Sequence, residues 1–135
     1  DDLIAKISID MQMPLQYISE RLVDELSYLE PYGKGNTKPI FVEKNIEILR
    51  ANKLGKNQNV LKMQVQDGNG AIMEAMYFGD LEIFESYLEE KFGASSVVAM
   101  WRGQRSGIKL AFTFYPTVNE YMGRKTVQIV IQNYQ

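Results

Sequence analysis

Four residues, Asp67-Gly68-Asn69-Gly70, constrain this chain more than any others. Several of these positions tolerate positive φ, so the tetrapeptide favours a tight reversal between two extended segments. Before it, Val60 to Gln66 alternate, with Leu61, Met63 and Val65 on one face and Lys62, Gln64 and Gln66 on the other. After it comes the apolar run Ala71 to Phe78, which reads as the partner strand. Such a hairpin buries one face and therefore demands further strands to complete a core.

The same alternation supplies them. Pro39 to Arg50 is extended and partly alternating. Ile108, Leu110, Phe112 and Phe114 alternate with Lys109, Ala111, Thr113 and Tyr115, and Val127, Ile129 and Ile131 alternate with Thr126, Gln128, Val130 and Gln132. A turn at Asn119 to Arg124 separates these two, and Val97 to Trp101 is expected as a shorter strand leading into a turn at Gly103 to Gly107. Two helices interrupt the pattern. The first is expected to start at Pro14, to place Leu15, Ile18, Leu22, Leu26 and Leu29 on one stripe, and to end at Pro31. The second is capped by Asp80, carries Glu82 in its first turn, presents Leu81, Phe84, Tyr87 and Leu88 to the core, and stops at Gly93.

Three strands, a helix and two strands is the order of the OB-fold, a five-stranded Greek-key barrel. The expected class is mainly β, with an N-terminal helix and a helix between strands three and four. Within 135 residues there is room for one domain, divided into a helical lead-in at 1–31 and the barrel at 32–135.

Composition removes most catalytic chemistry. There is no Cys and no His, hence no disulfide, no thiolate, no Cys/His zinc site and no imidazole acid or base. No stretch approaches the ~20 apolar residues of a membrane helix, and the Asp1-Asp2 start lacks a signal-peptide pattern, so a cytoplasmic location is expected. Opening on Asp rather than Met, the chain reads as a piece excised from a longer protein. Net charge is -2, but it comes in four alternating blocks of -5, +4, -5 and +4. The acidic blocks coincide with the helices and the basic ones with strands and their loops, which makes the barrel basic and its attachments acidic.

Gly33-Lys34-Gly35 lacks the spacing and the Ser or Thr of a phosphate loop, and Asp67-Gly68-Asn69 lacks the later ligands of a calcium loop. Adjacent carboxylates such as Glu89-Glu90 and Asp24-Glu25 point apart on a helix and suit a solvated face. Aromatic and basic residues are the better signal, because rings stack on unpaired bases while Lys and Arg meet phosphates. OB-folds receive nucleic acid across strands two and three, between the loop joining strands one and two and the loop joining the last two. The candidates on that basis are Lys53, Lys56, Lys62, Arg124 and Lys125, joined by Trp101, Arg102 and Arg105 beside the Gly103 turn and Tyr121 at the last hairpin as aromatic and basic candidates. For Trp101, capping the barrel and stacking a base are equally open.

Two stretches carry a family resemblance. LEPYGKGNTKPIF (Leu29 to Phe41) resembles the segment leading into the terminal OB domain of RecJ, the bacterial single-strand-specific 5′ to 3′ DNA exonuclease family, and NEYMGRKTVQIVIQNY (Asn119 to Tyr134) resembles that domain's last hairpin. The resemblance implies a parent enzyme of DNA repair and recombination that hydrolyses phosphodiester bonds with Mn²⁺ or Mg²⁺ in a separate Asp-His-His domain. Without His, this chain carries no catalytic residue and no metal or other cofactor of that kind. Its implied role is to hold single-stranded DNA, with the parent's catalytic domains and other repair proteins as further partners. The competing reading is a structural module whose acidic helices dock on the catalytic core or a repair partner. Pro31, Gly33, Gly35, Asn36 and Pro39 are expected to form a rigid elbow between helix and barrel.

Overall fold

Midway along the strand Phe41–Leu54, Asn45 adopts a left-handed backbone with φ 57°, a conformation Asn tolerates better than most residues. The irregularity there bends the strand so that it serves two neighbours. The computed structural model of the protein describes residues 11–28 and 39–135. Along them run β1 (Met11–Gln12), a 3-10 turn at Leu15–Tyr17, α1 (Glu20–Ser27), β2 (Phe41–Leu54), β3 (Val60–Gln66), β4 (Ile72–Tyr77), α2 (Leu81–Phe92), α3 (Ala94–Trp101), β5 (Lys109–Tyr121) and β6 (Arg124–Tyr134). The first half of β2 pairs antiparallel with β5 and its second half with β3. β3 pairs with β4, β4 with β6 in parallel, and β6 with β5, which closes a five-stranded ring. The strand order expected for an OB-fold is therefore the observed one. β1 adds two residues in parallel alongside Phe41 and Val42.

Inward-facing side chains follow the period of two. Ile46 and Ile48, Leu61, Met63 and Val65, Leu110, Phe112 and Phe114, and Ile129 and Ile131 are buried from their respective strands. Phe84 and Leu88 of α2, Val97 and Met100 of α3, and Leu15 and Ile18 join the same core. α2 is as expected: the Asp80 carboxylate accepts a hydrogen bond from the Ile83 N–H at 3.0 Å, and Gly93 ends the helix at φ 94°.

Three local expectations are corrected. The N-terminal helix is broken: Pro14 precedes a single 3-10 turn, and α1 begins only after Ser19, whose hydroxyl accepts from the Leu22 N–H. Ser19 caps well, and the Leu15 N–H is taken by the distant carboxylate of Asp67 at 3.1 Å, so the two turns are held apart. α1 ends at Ser27 with Tyr28 as its C-cap, and residues 29–31 lie outside the described residues. Val97 to Trp101 is helix rather than strand. Gly93 turns the chain and serves as the start of α3, which places Val97, Met100 and Trp101 at i, i+3 and i+4 toward the core. The propensity of Val97-Val98 for strand loses to that docking. Finally, the turn expected over Asn119 to Arg124 shrinks to Met122-Gly123, both at positive φ, and the strands run right up to it.

At the end of the barrel where α2 begins, Tyr77, Phe84, Tyr87 and Tyr134 form one aromatic cluster, with centroids 4.6 Å apart for Phe84 and Tyr134 and 5.2 Å for Tyr87 and Tyr134. Burial within it, together with the neighbouring Tyr77 hydroxyl, holds the Tyr134 phenol above its usual ionisation range. The unfolded chain therefore loses this proton first, near pH ~10, so the contribution is intact below that pH and is lost as pH rises through it. Urea midpoints measured from neutral to alkaline pH should fall less steeply for Tyr134→Phe than for the wild type; parallel curves would refute this.

Candidate nucleic-acid interface

Because Leu61, Met63 and Val65 point inward, the intervening residues of β3 and their ladder partners form the outer face of the barrel. One row across it is Arg50, Gln64, Glu74 and Gln128, and the next is Asn52, Lys62 and Met76, with Gln66 opposite Ile72 beyond them. The face is rich in amides and poor in free charge. The Lys62 ammonium lies 3.5 Å from the Glu74 carboxylate, leaving Arg50 as the cation of these rows outside an ion pair among the described residues. Arg50 runs over the backbone at Gly103, where an added Cβ would sit 3.3 Å from its guanidinium. Arg50, Asn52, Gln64, Gln66 and Gln128 were not expected as site residues. Their outward position follows from the alternation, but their place beside one another needs the strand order.

The register separates the remaining candidates. Leu54 pairs with Val60, and Leu61 with Tyr77, so the loop holding Lys56 lies at the end of the face where β4 leads into α2. β6 runs parallel to β4 with Gln128 beside Glu74, so Arg124, four residues earlier, extends past the opposite end. At ~3.3 Å per residue the two sites stand on the order of 30 Å apart along the strands. Residues 119–126 are exposed throughout, which makes the β5–β6 hairpin a projecting arm tipped by Tyr121 and Met122, 72% and 87% exposed. Lys125 faces Glu120 across that arm.

Lys53 and Trp101 are placed otherwise. Lys53 belongs to β2 rather than to the loop, and Arg124 and Lys125 belong to β6. The Lys53 ammonium lies 3.7 Å from Glu85 and 5.2 Å from the centroid of the Trp101 ring, which is itself partly buried against the core. Trp101 thus packs on the core with part of its surface still exposed. Arg102 is exposed just past α3, and Arg105 pairs with the buried Glu47. Of the elbow residues, Pro39 is buried just before β2, while Pro31, Gly33, Gly35 and Asn36 lie outside the described residues.

Negative charge gathers between α1 and the hairpin. A groove of about 600 Å³ between α1 and the hairpin is lined by Glu20, Asp24 and Glu120 together with Arg21 and Lys125. Among the described residues no group of three or more acidic side chains is placed to hold a metal ion, and no helix is long and apolar enough to cross a membrane. The profile of one protein family, described as RecJ OB domain, matches residues 9–133 of this chain. No curated protein matches it.

Proposed function

Because the chain belongs to the RecJ OB domain family, we propose that it is the single-stranded-DNA-binding module of a RecJ-like, single-strand-specific exonuclease acting in DNA repair and recombination in the bacterial cytoplasm. The observation that carries this reading is the pair of exposed cations, Lys56 and Arg124, standing at the two ends of the polar face with no ion pair among the described residues. A strand laid between them crosses Arg50, Asn52, Gln64 and Gln128, and spans several nucleotides, within the range one OB barrel covers. Hydrolysis, in this reading, belongs to the parent's Mn²⁺- or Mg²⁺-dependent domain, since a chain without His offers no Asp-His-His set. Fluorescence anisotropy with a labelled oligothymidine tests it. Binding should weaken linearly on logarithmic axes as salt rises, because bound phosphates release counterions. A salt-independent signal, or none at low ionic strength, would sink the proposal.

The acidic groove between α1 and the β5–β6 hairpin favours a second role. Glu20, Asp24 and Glu120 repel phosphate and suit a basic surface of the catalytic domains or of a repair partner. Reversal of Glu20 and Asp24 to Lys should weaken co-purification with the separated catalytic core without weakening oligothymidine binding, since the added positive charge beside Lys125 favours phosphate. Undiminished co-purification would remove this role.

A further inference from the structure

Glu47 of β2 stands between Gln66 of β3 and Lys109 of β5, outside the barrel core yet only 5% exposed. It forms the floor of a cleft of about 270 Å³ bordered by Asn45, Gln66, Asp67, Arg105 and Lys109. Both Asp67 oxygens are occupied by backbone N–H groups, so they are not free for a ligand. Glu47 is different. Its Oε1 accepts from Arg105 Nη2 at 3.4 Å, the outer limit of a hydrogen bond, and its Oε2 lies 3.3 Å from Arg105 Nε without an aligned donor. Charge-assisted bonds of this kind ordinarily measure roughly 2.7–2.9 Å. A buried carboxylate is thus left under-satisfied, covered by an arginine whose side chain is 82% exposed.

What covers Glu47 indicates what could replace it. Two neighbouring nitrogens of a planar guanidinium lie 3.4 and 3.3 Å from the two carboxylate oxygens, with only the first donating, whereas the N1–H and N2–H₂ edge of guanine can donate to both. Adenine and cytosine each offer an amino group beside an acceptor, and thymine sets its single N–H between two carbonyls, which a carboxylate repels. The geometry points to a guanine subsite: an unpaired guanine seats its donor edge on Glu47, and Arg105 swings outward to a phosphate beside the exposed Lys109. The cleft is on the scale of one base rather than of a large ligand. This site rests on the single-strand reading above and adds a base preference to it.

The test uses the 135-residue chain and three labelled oligonucleotides at low salt: a dT 12-mer, and the same with one central dG or one central inosine, which keeps N1–H but lacks the 2-amino group. The dG strand should bind about tenfold more tightly than the inosine strand, as expected for one bidentate base contact. Glu47→Gln should bring that ratio to about one. Arg105→Ala, which uncovers Glu47 without altering it, should keep the ratio well above one, and it serves as the reporter should Glu47→Gln fail to fold. Equal binding of dG and inosine strands by the wild type overturns the subsite even if the dT 12-mer binds. Should the dT 12-mer fail to bind, an NMR titration with dGMP separates the two proposals. Shifts at Gln66, Arg105 and Lys109 with dGMP and none with dIMP uphold the cleft alone, and no shifts with either overturn it as well.

Discussion

Lys56→Glu combined with Arg124→Glu should weaken oligothymidine binding by about a hundredfold at low salt, while the circular-dichroism spectrum and thermal midpoint stay those of the wild type. Both side chains are exposed and neither closes an ion pair among the described residues, so the fold loses little when they change. Each reversal removes a phosphate contact and adds a repulsion, and the two lie at opposite ends of the face, so neither compensates for the other. Each single reversal should fall between wild type and double variant and lower the salt slope by about one or more. Unchanged affinity in the double variant, with an intact spectrum, would place the strand on another side of the barrel.

Asp67→Ala should have the largest effect on stability. This buried carboxylate accepts from the Leu15 N–H at 3.1 Å, the Asn69 N–H at 3.0 Å and the Ala71 N–H at 2.9 Å. Two of these bonds shape the β3–β4 hairpin, and the third ties it to a segment 52 residues earlier. Truncation leaves the buried Leu15 N–H and two part-buried hairpin N–H groups without their acceptor, at a cost of about 3 kcal/mol, which corresponds to a thermal midpoint lower by roughly 10 °C. Asp67→Asn keeps one acceptor oxygen and should lie between. A loss of under about 1 kcal/mol in urea unfolding would show that water replaces the carboxylate at little cost.

Asp67 also marks where sequence reading stops. As part of Asp67-Gly68-Asn69-Gly70 its turn was legible, because the signal is local: Gly70 takes φ 91° and its N–H closes on the Asp67 carbonyl at 3.1 Å. Its bond to Leu15 was not, since nothing within a few residues of either position announces the other. The same holds for Glu47, whose partner Arg105 lies 58 residues away. In the sequence Asp67 reads as a turn residue and Glu47 as one position of an extended segment, whereas in the fold both are buried and organise a hairpin and a cleft.

The candidate interface divides along the same line. Lys56, Arg124 and Lys125 were visible because basic residues near turns stay exposed wherever the turns go. Lys53 and Lys62 carry the same charge but lie against Glu85 and Glu74, and no spacing rule foretells those pairs. Arg50, Gln64, Glu74 and Gln128 become one row only when β3 sits between β2 and β4 and β6 joins from the far end of the chain.

By itself the sequence determined the elements whose signals span a few residues: the hairpin at Asp67, the helix from Asp80 to Gly93, the alternating faces of β3, β5 and β6, and through their order the barrel. Capping, turn chemistry and pleat are set by the backbone within one or two turns, so they survive without tertiary context. Tertiary structure decided the rest. Val97 to Trp101 became a helix because docking Val97 and Met100 in the core outweighs a β propensity worth less than about 1 kcal/mol. Which cations remain free, which acids are buried, and which side chains share a face were settled by contacts between residues far apart in sequence, whose energies exist only once the ring of strands has closed.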